Sequence, residues 1–136
     1  MIIAFWCVLI AAVLPICCTY VAKFGPRKAG EKPTRFDNRE PRAWLAAQTG
    51  VRARANAAQA NSFEAFPFFA AGVVVAVLQH APVATIDTIA IVFIVARIAY
   101  IACYLADRPM LRSPVWAVGF GSCIALFLVA ATGTLR

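Results

Sequence analysis

Eight polar side chains, set in an otherwise apolar sequence, carry whatever chemistry this chain performs. Arg54, Gln59, Asn61 and Glu64 fall in the run RANAAQANSFEAFPFF, Arg97, Tyr100 and Tyr104 in RIAYIACY, and Arg112 in LRSP. At about 100° per residue, Arg54, Ala57, Asn61, Glu64 and Phe68 share one helical stripe, while Arg52, Asn56, Gln59 and Phe63 share the opposite one. Arg97, Tyr100, Tyr104 and Asp107, spaced by three, four and three, also share a face. Arginine binds carboxylates bidentately, a carboxylate such as Glu64 holds an amine, and an arginine beside a thiol favours the nucleophilic thiolate. The set therefore suits a small zwitterionic peptide or anionic metabolite, with an apolar co-substrate arriving through a bilayer. The plainer reading is a polar network that only holds helices together.

The elements that position these groups are membrane helices. Hydrophobic residues make up 62% of the 136 and charged residues 14%, more apolar surface than a soluble domain of this size hides. Segments 2–22, 83–106 and 114–135 are each about one bilayer long, at roughly 20 residues per span. A fourth segment, 43–79, carries the polar ladder and then turns into Phe, Ala and Val; as one helix it would measure roughly 55 Å. The expected fold is all-α, a single integral membrane four-helix bundle over 1–136. No Lys or Arg precedes Lys23, so the first segment reads as a retained helix rather than a cleaved signal.

Positive charge sets the expected orientation. Lys23, Arg27, Lys28, Lys32, Arg35, Arg39 and Arg42 crowd the first connection, a basic loop over 25–42. The positive-inside rule places this loop and the third one in the cytoplasm, with both termini periplasmic. The net charge of +7 is largely this loop, so topology and anionic lipid explain it and no nucleic-acid partner is needed. In this topology Arg54 to Glu64, Arg97 to Tyr104, and Arg112 converge at one cytoplasmic depth. Arg97 lies well inside its span and must snorkel or pair, with Glu64 as the natural partner.

Other features read as structural. Cys7, Cys17, Cys18, Cys103 and Cys123 lie in the spans without a CxxC or a histidine cluster, so they read as packing residues and no metal site is expected. His80, before Pro82, reads as a cap or interfacial residue. Asp37 or Asn38 is a possible cap ahead of Pro41, and Pro67 should kink its helix.

The run RANAAQANSFEAFPFF, together with RIAYIACY, resembles the signature of the MAPEG family, the membrane-associated proteins in eicosanoid and glutathione metabolism. The phrases NREPRAW, ANSFEAFPFFAA and YLADRPMLRS look like its bacterial branch, and the pattern is similar to leukotriene C4 synthase and the five-lipoxygenase-activating protein. The resemblance implies a homotrimer with the second span lining its axis, in a bacterial inner (cytoplasmic) membrane. It implies glutathione as thiol co-substrate and a lipophilic small-molecule substrate. Carried over by position, Arg54, Gln59, Asn61, Glu64, Tyr100 and Tyr104 would form the glutathione-binding set, Arg97 would support them, and Arg112 would stabilise the thiolate as the catalytic residue. Two positions depart from the pattern: Ala57 stands where the enzymes have an arginine, and Ala65 where an aromatic often follows the glutamate. The implied function is a glutathione-dependent transferase or peroxidase. The alternative is a non-catalytic lipid-binding or scaffold membrane protein, and a channel is disfavoured because no ring of charge stands out.

Overall fold

The computed structural model describes residues 3–27, 29–30 and 35–133. It is all-α: α1 (Ile3–Phe24), α2 (Pro41–Ala46), α3 (Gly50–Leu78), α4 (Val83–Leu105) and α5 (Pro109–Gly133). The four long helices are long and apolar enough to cross a membrane. This is a multi-pass membrane protein.

The helices run up and down. The Ala4 N–H donates to Asp87 Oδ1 at 2.8 Å, which ties the start of α1 to the start of α4. At the other end, Arg54 Nη2 at the start of α3 donates to Leu105 O at the end of α4, at 3.3 Å. Asp87 satisfies one of the donors that every helix N-terminus leaves open, and its charge suits the positive end of the α1 dipole.

Lipid outside and protein inside are both apolar, so residue size separates the two faces. The buried stripe of α1 is Ala4, Cys7, Ala11, Pro15, Cys18 and Ala22, while Phe5, Trp6, Leu9, Ile16 and Tyr20 point outward. Such a stripe lets α1 lie close against α3, its main neighbour, which buries Ala55 and Ala58. Three of the cysteines (Cys7, Cys18 and Cys123) are core residues, but Cys17 is exposed and Cys103 half-buried, so packing does not account for all five. Larger side chains close the core between α3 and α4, where Phe69 stacks on Phe93 with centroids 3.8 Å apart. Between α3 and α5 the approach is tight enough that a Cβ on Gly72 would meet Leu126 Cβ at 3.1 Å.

Several expected boundaries shift. The segment 43–79 is two helices, because Thr49 is extended at φ −123° and Gly50 adopts φ +57°, a left-handed conformation open to glycine. The Thr-Gly pair was the available signal. The expected helix 114–135 instead begins at Pro109, where a proline costs no helical bond, and runs through Pro114 to Gly133; its expected end lies outside the described residues. The first helix ends at Phe24, two residues past its apolar span, where Gly25 and Pro26 follow. The helix α3 continues through Pro67. Asp37 turns its Oδ1 to the Arg39 N–H at 2.8 Å and leaves α2 with Glu40 as its N-cap.

His80 and Asp107 end α3 and α4 in the same way. Each takes a left-handed φ, +55° and +56°. Behind each, paired hydrogen bonds close a Schellman motif: Ala81 N to Ala76 O with His80 N to Val77 O, and Arg108 N to Cys103 O with Asp107 N to Tyr104 O. These tight stops leave short links on either side of α4.

Candidate functional site

The site is built around Arg97, a guanidinium 4% exposed in the middle of α4. Its Nη1 donates to Asn61 Oδ1 and its Nη2 to Ser62 Oγ, each at 3.0 Å. Ser62 in turn donates its hydroxyl proton to Ala58 O at 2.7 Å, which leaves its lone pairs free to receive Arg97. Asn61 Nδ2 donates to Glu64 Oε2 at 3.4 Å. The expected Arg97–Glu64 pair is therefore replaced by an arrangement in which Glu64 reaches the arginine only through Asn61. The reason is geometric: Asn61 and Ser62 face α4, while Glu64 has turned to the exposed side of α3.

From Arg97 the line continues along α4. Its guanidinium lies 4.5 Å from the Tyr100 ring centre, Tyr100 meets Tyr104 edge-on at 5.3 Å, and the Arg112 guanidinium of α5 lies 4.3 Å over Tyr104. Such contacts orient the planar groups and hold positive charge against ring faces. Asn61, Glu64, Arg97, Tyr100, Tyr104 and Arg112 thus form one continuous line across three helices.

Beside this line opens a cleft of about 150 Å³ between α3, α4 and α5. Asn61, Glu64 and Arg97 form its polar side; Phe68, Trp116 and Phe120 form its apolar wall. Trp116 stacks on Phe120 at 5.1 Å, Phe120 on Phe68 at 5.8 Å, and Phe68 on Phe127 at 5.1 Å, a continuous aromatic rail. Arg97 carries a buried charge, its hydrogen bonds go to neutral oxygens, and none of the described carboxylates lies within ion-pair distance of it. An unpaired buried cation is costly in hydrocarbon, so the cleft favours an anionic occupant with an apolar companion.

Two of the eight expected residues lie apart. Arg54 is at the end of the bundle, on Leu105 O and 3.6 Å from Asp107 Oδ2. Gln59 lies on another face of α3, with its Oε1 buried and unpartnered. Arg52, on the opposite stripe, is held by groups near the end of the bundle: Nε donates to Gly25 O at 2.9 Å and Nη1 to Gln48 Oε1 at 3.5 Å. Sequence reasoning did not single out Ser62, Trp116 or Phe120. The i, i+4 spacing of Trp116 and Phe120 was a usable signal; a serine among alanines was not.

Comparison with protein families matches residues 3–132 to the MAPEG family. No curated protein and no solved structure gives a match.

Proposed function

This chain belongs to the MAPEG family, and from that premise we propose that it is a glutathione-dependent transferase or peroxidase acting on lipophilic electrophiles. One observation carries the reading: the buried Arg97 guanidinium, without a carboxylate partner, lines a cleft whose opposite wall is aromatic. The donor set fits glutathione, a peptide bearing two carboxylates, an amine and a thiol. Bound there, it would supply a thiolate for attack on an electrophilic carbon or a peroxide oxygen.

Each residue of the line has a role in this reading. Arg97 provides the counter-charge for a carboxylate, with Asn61 and Ser62 fixing its plane. Asn61 and Glu64 receive the amide and amine groups of the peptide. Arg112, oriented by Tyr104, stabilises the sulfur anion, and Tyr100 separates the two arginines. Phe68, Trp116 and Phe120 take the lipophilic partner and keep water from the reacting centre. The gain in rate then comes from position and preorganised charge. Arg54 and Gln59 stay outside this subunit's cleft.

We also propose that the chain works as a homotrimer in a bacterial inner membrane, with both termini periplasmic. The helix α3 leaves Ala60, Glu64, Pro67 and Ala71 exposed along one stripe, and the small residues of that stripe suit close helix contact in lipid. Ala57 at the position of a family arginine supports the second reading, a non-catalytic lipid-binding or scaffold protein.

Calorimetry of glutathione with the purified protein separates the two. Saturable binding with a thiolate ultraviolet absorbance, abolished in Arg112→Ala and retained in Tyr100→Phe, supports the enzyme. Absence of binding at millimolar glutathione leaves the lipid-binding reading.

A further inference from the structure

We propose that Gly119 is the residue that decides which lipophilic groups the cleft accepts. By withholding a side chain from the apolar half, it makes room for a ring where a larger residue would admit only an unbranched chain. The inference rests on the thiol chemistry proposed above and names the shape of its lipophilic substrate, a broad, ring-bearing group.

Glycine in the interior of a helix costs stability relative to alanine, so its presence there asks for a cause. Gly72, Gly119 and Gly121 each lie inside a long helix, and their surroundings differ. Gly72 is a packing glycine, because a Cβ there would meet Leu126 Cβ at 3.1 Å. Gly121 is exposed, and a Cβ on it would meet nothing within 4 Å. Gly119 is buried, yet a Cβ there would meet only Ala96 Cβ and Arg97 Cδ, both at 3.8 Å, an ordinary contact. Its backbone does not need glycine either, since the described glycines with positive φ are Gly30 and Gly50. Packing between α4 and α5 would therefore accept alanine. The room a Cβ would take is that of the cleft, which Gly119 lines together with Arg97.

That room belongs to the apolar half. Both atoms a Cβ would meet are carbons, one a methyl and the other in the arginine stem. On α5, Trp116 lies three residues before Gly119 and Phe120 one after, and both line the same cleft. Their side chains are 41% and 44% exposed, so part of each ring is open to a ligand. A ring gains from stacked or edge-on contact with such side chains, which an alkyl chain does not. A ring is also wider than an unbranched chain and meets an added methyl group first. One methylene more or less in an apolar pocket changes discrimination between substrates by roughly 10–200-fold.

Calorimetry of the full-length protein in neutral detergent tests this with three probes: glutathione, S-octylglutathione and S-(naphthylmethyl)glutathione. The wild type should bind the naphthylmethyl conjugate at least as tightly as the octyl conjugate. Gly119→Ala should weaken the naphthylmethyl conjugate by about tenfold or more and leave the other two within about twofold. Gly121→Ala, with the same gain in helix propensity but no place in the cleft, should alter none of the three. An unchanged ratio between the conjugates in Gly119→Ala overturns the inference. So does an equal loss for glutathione itself, which would assign the room to the peptide. Should Gly119→Ala fail to fold, the wild type decides: weaker binding of the naphthylmethyl than of the octyl conjugate overturns the inference. If the wild type binds none of the three, the thiol reading fails and this inference falls with it.

Discussion

Arg52 and Arg97 are the two buried arginines among the described residues, 6% and 4% exposed, and they do different work. Arg52 spends its Nε on a backbone carbonyl, Gly25 O, at the start of the first connection, with Gln48 beside it. That is a tether, closing the end of α1 against the start of α3. Arg97 rests on an amide and a hydroxyl, both of which can regroup, and it borders an open cleft. A buried cation is thus not itself a site. The distinction lies in whether its acceptors are structural carbonyls that need holding, or adjustable side chains next to space for a ligand.

Substitutions at the two positions should have opposite effects. The largest is expected for Arg97→Leu: loss of about 2–5 kcal/mol of glutathione binding, at least roughly 30-fold in Kd by calorimetry. Its melting temperature should hold or rise, since removing an unpaired buried charge relieves desolvation. A large drop in melting temperature with binding intact would make Arg97 a second tether and end the contrast. Arg52→Ala should do the reverse, destabilising the protein by about 1.5–3 kcal/mol in a detergent denaturation series without altering glutathione affinity.

Two smaller changes sharpen the comparison. Ser62→Ala removes one of the two oxygens beneath Arg97 and should weaken binding by about 1 kcal/mol, roughly fivefold; Ser62→Thr, which keeps the hydroxyl, should restore it. A merely structural serine would alter the melt and leave affinity alone. The smallest effect is expected at the far end of the bundle. His80→Gly relieves a left-handed φ and should raise stability by up to about 1 kcal/mol with no change in ligand affinity, which calibrates the thermal shifts of the other variants.

Much of the site was legible because helical periodicity is local. Arg97, Tyr100 and Tyr104 stand on one face by spacing alone, as do Asn61 and Glu64. Their partners were not legible, because hydrogen bonding depends on how α3 is rotated against α4. Asn61 and Ser62 face the arginine and Glu64 does not, although the stripe offered Glu64. The same rotation sends Gln59 elsewhere and turns Arg52 to the Gly25 carbonyl. Asp87, which caps α1 from another helix across 83 residues of sequence, carries no local signal.

The amino-acid sequence determined the class, the four apolar spans, the polar stripes and the family resemblance, because burial in lipid and helical period are properties of a segment read alone. Only the tertiary structure decided that Ser62 rather than Glu64 sits beneath Arg97, that Trp116 and Phe120 wall the cleft, and that Arg54 belongs to a different cavity. Those outcomes depend on the close approach of helices through small residues. In lipid, where outside and inside are equally apolar, that approach is governed by shape and by the few polar groups that must find each other.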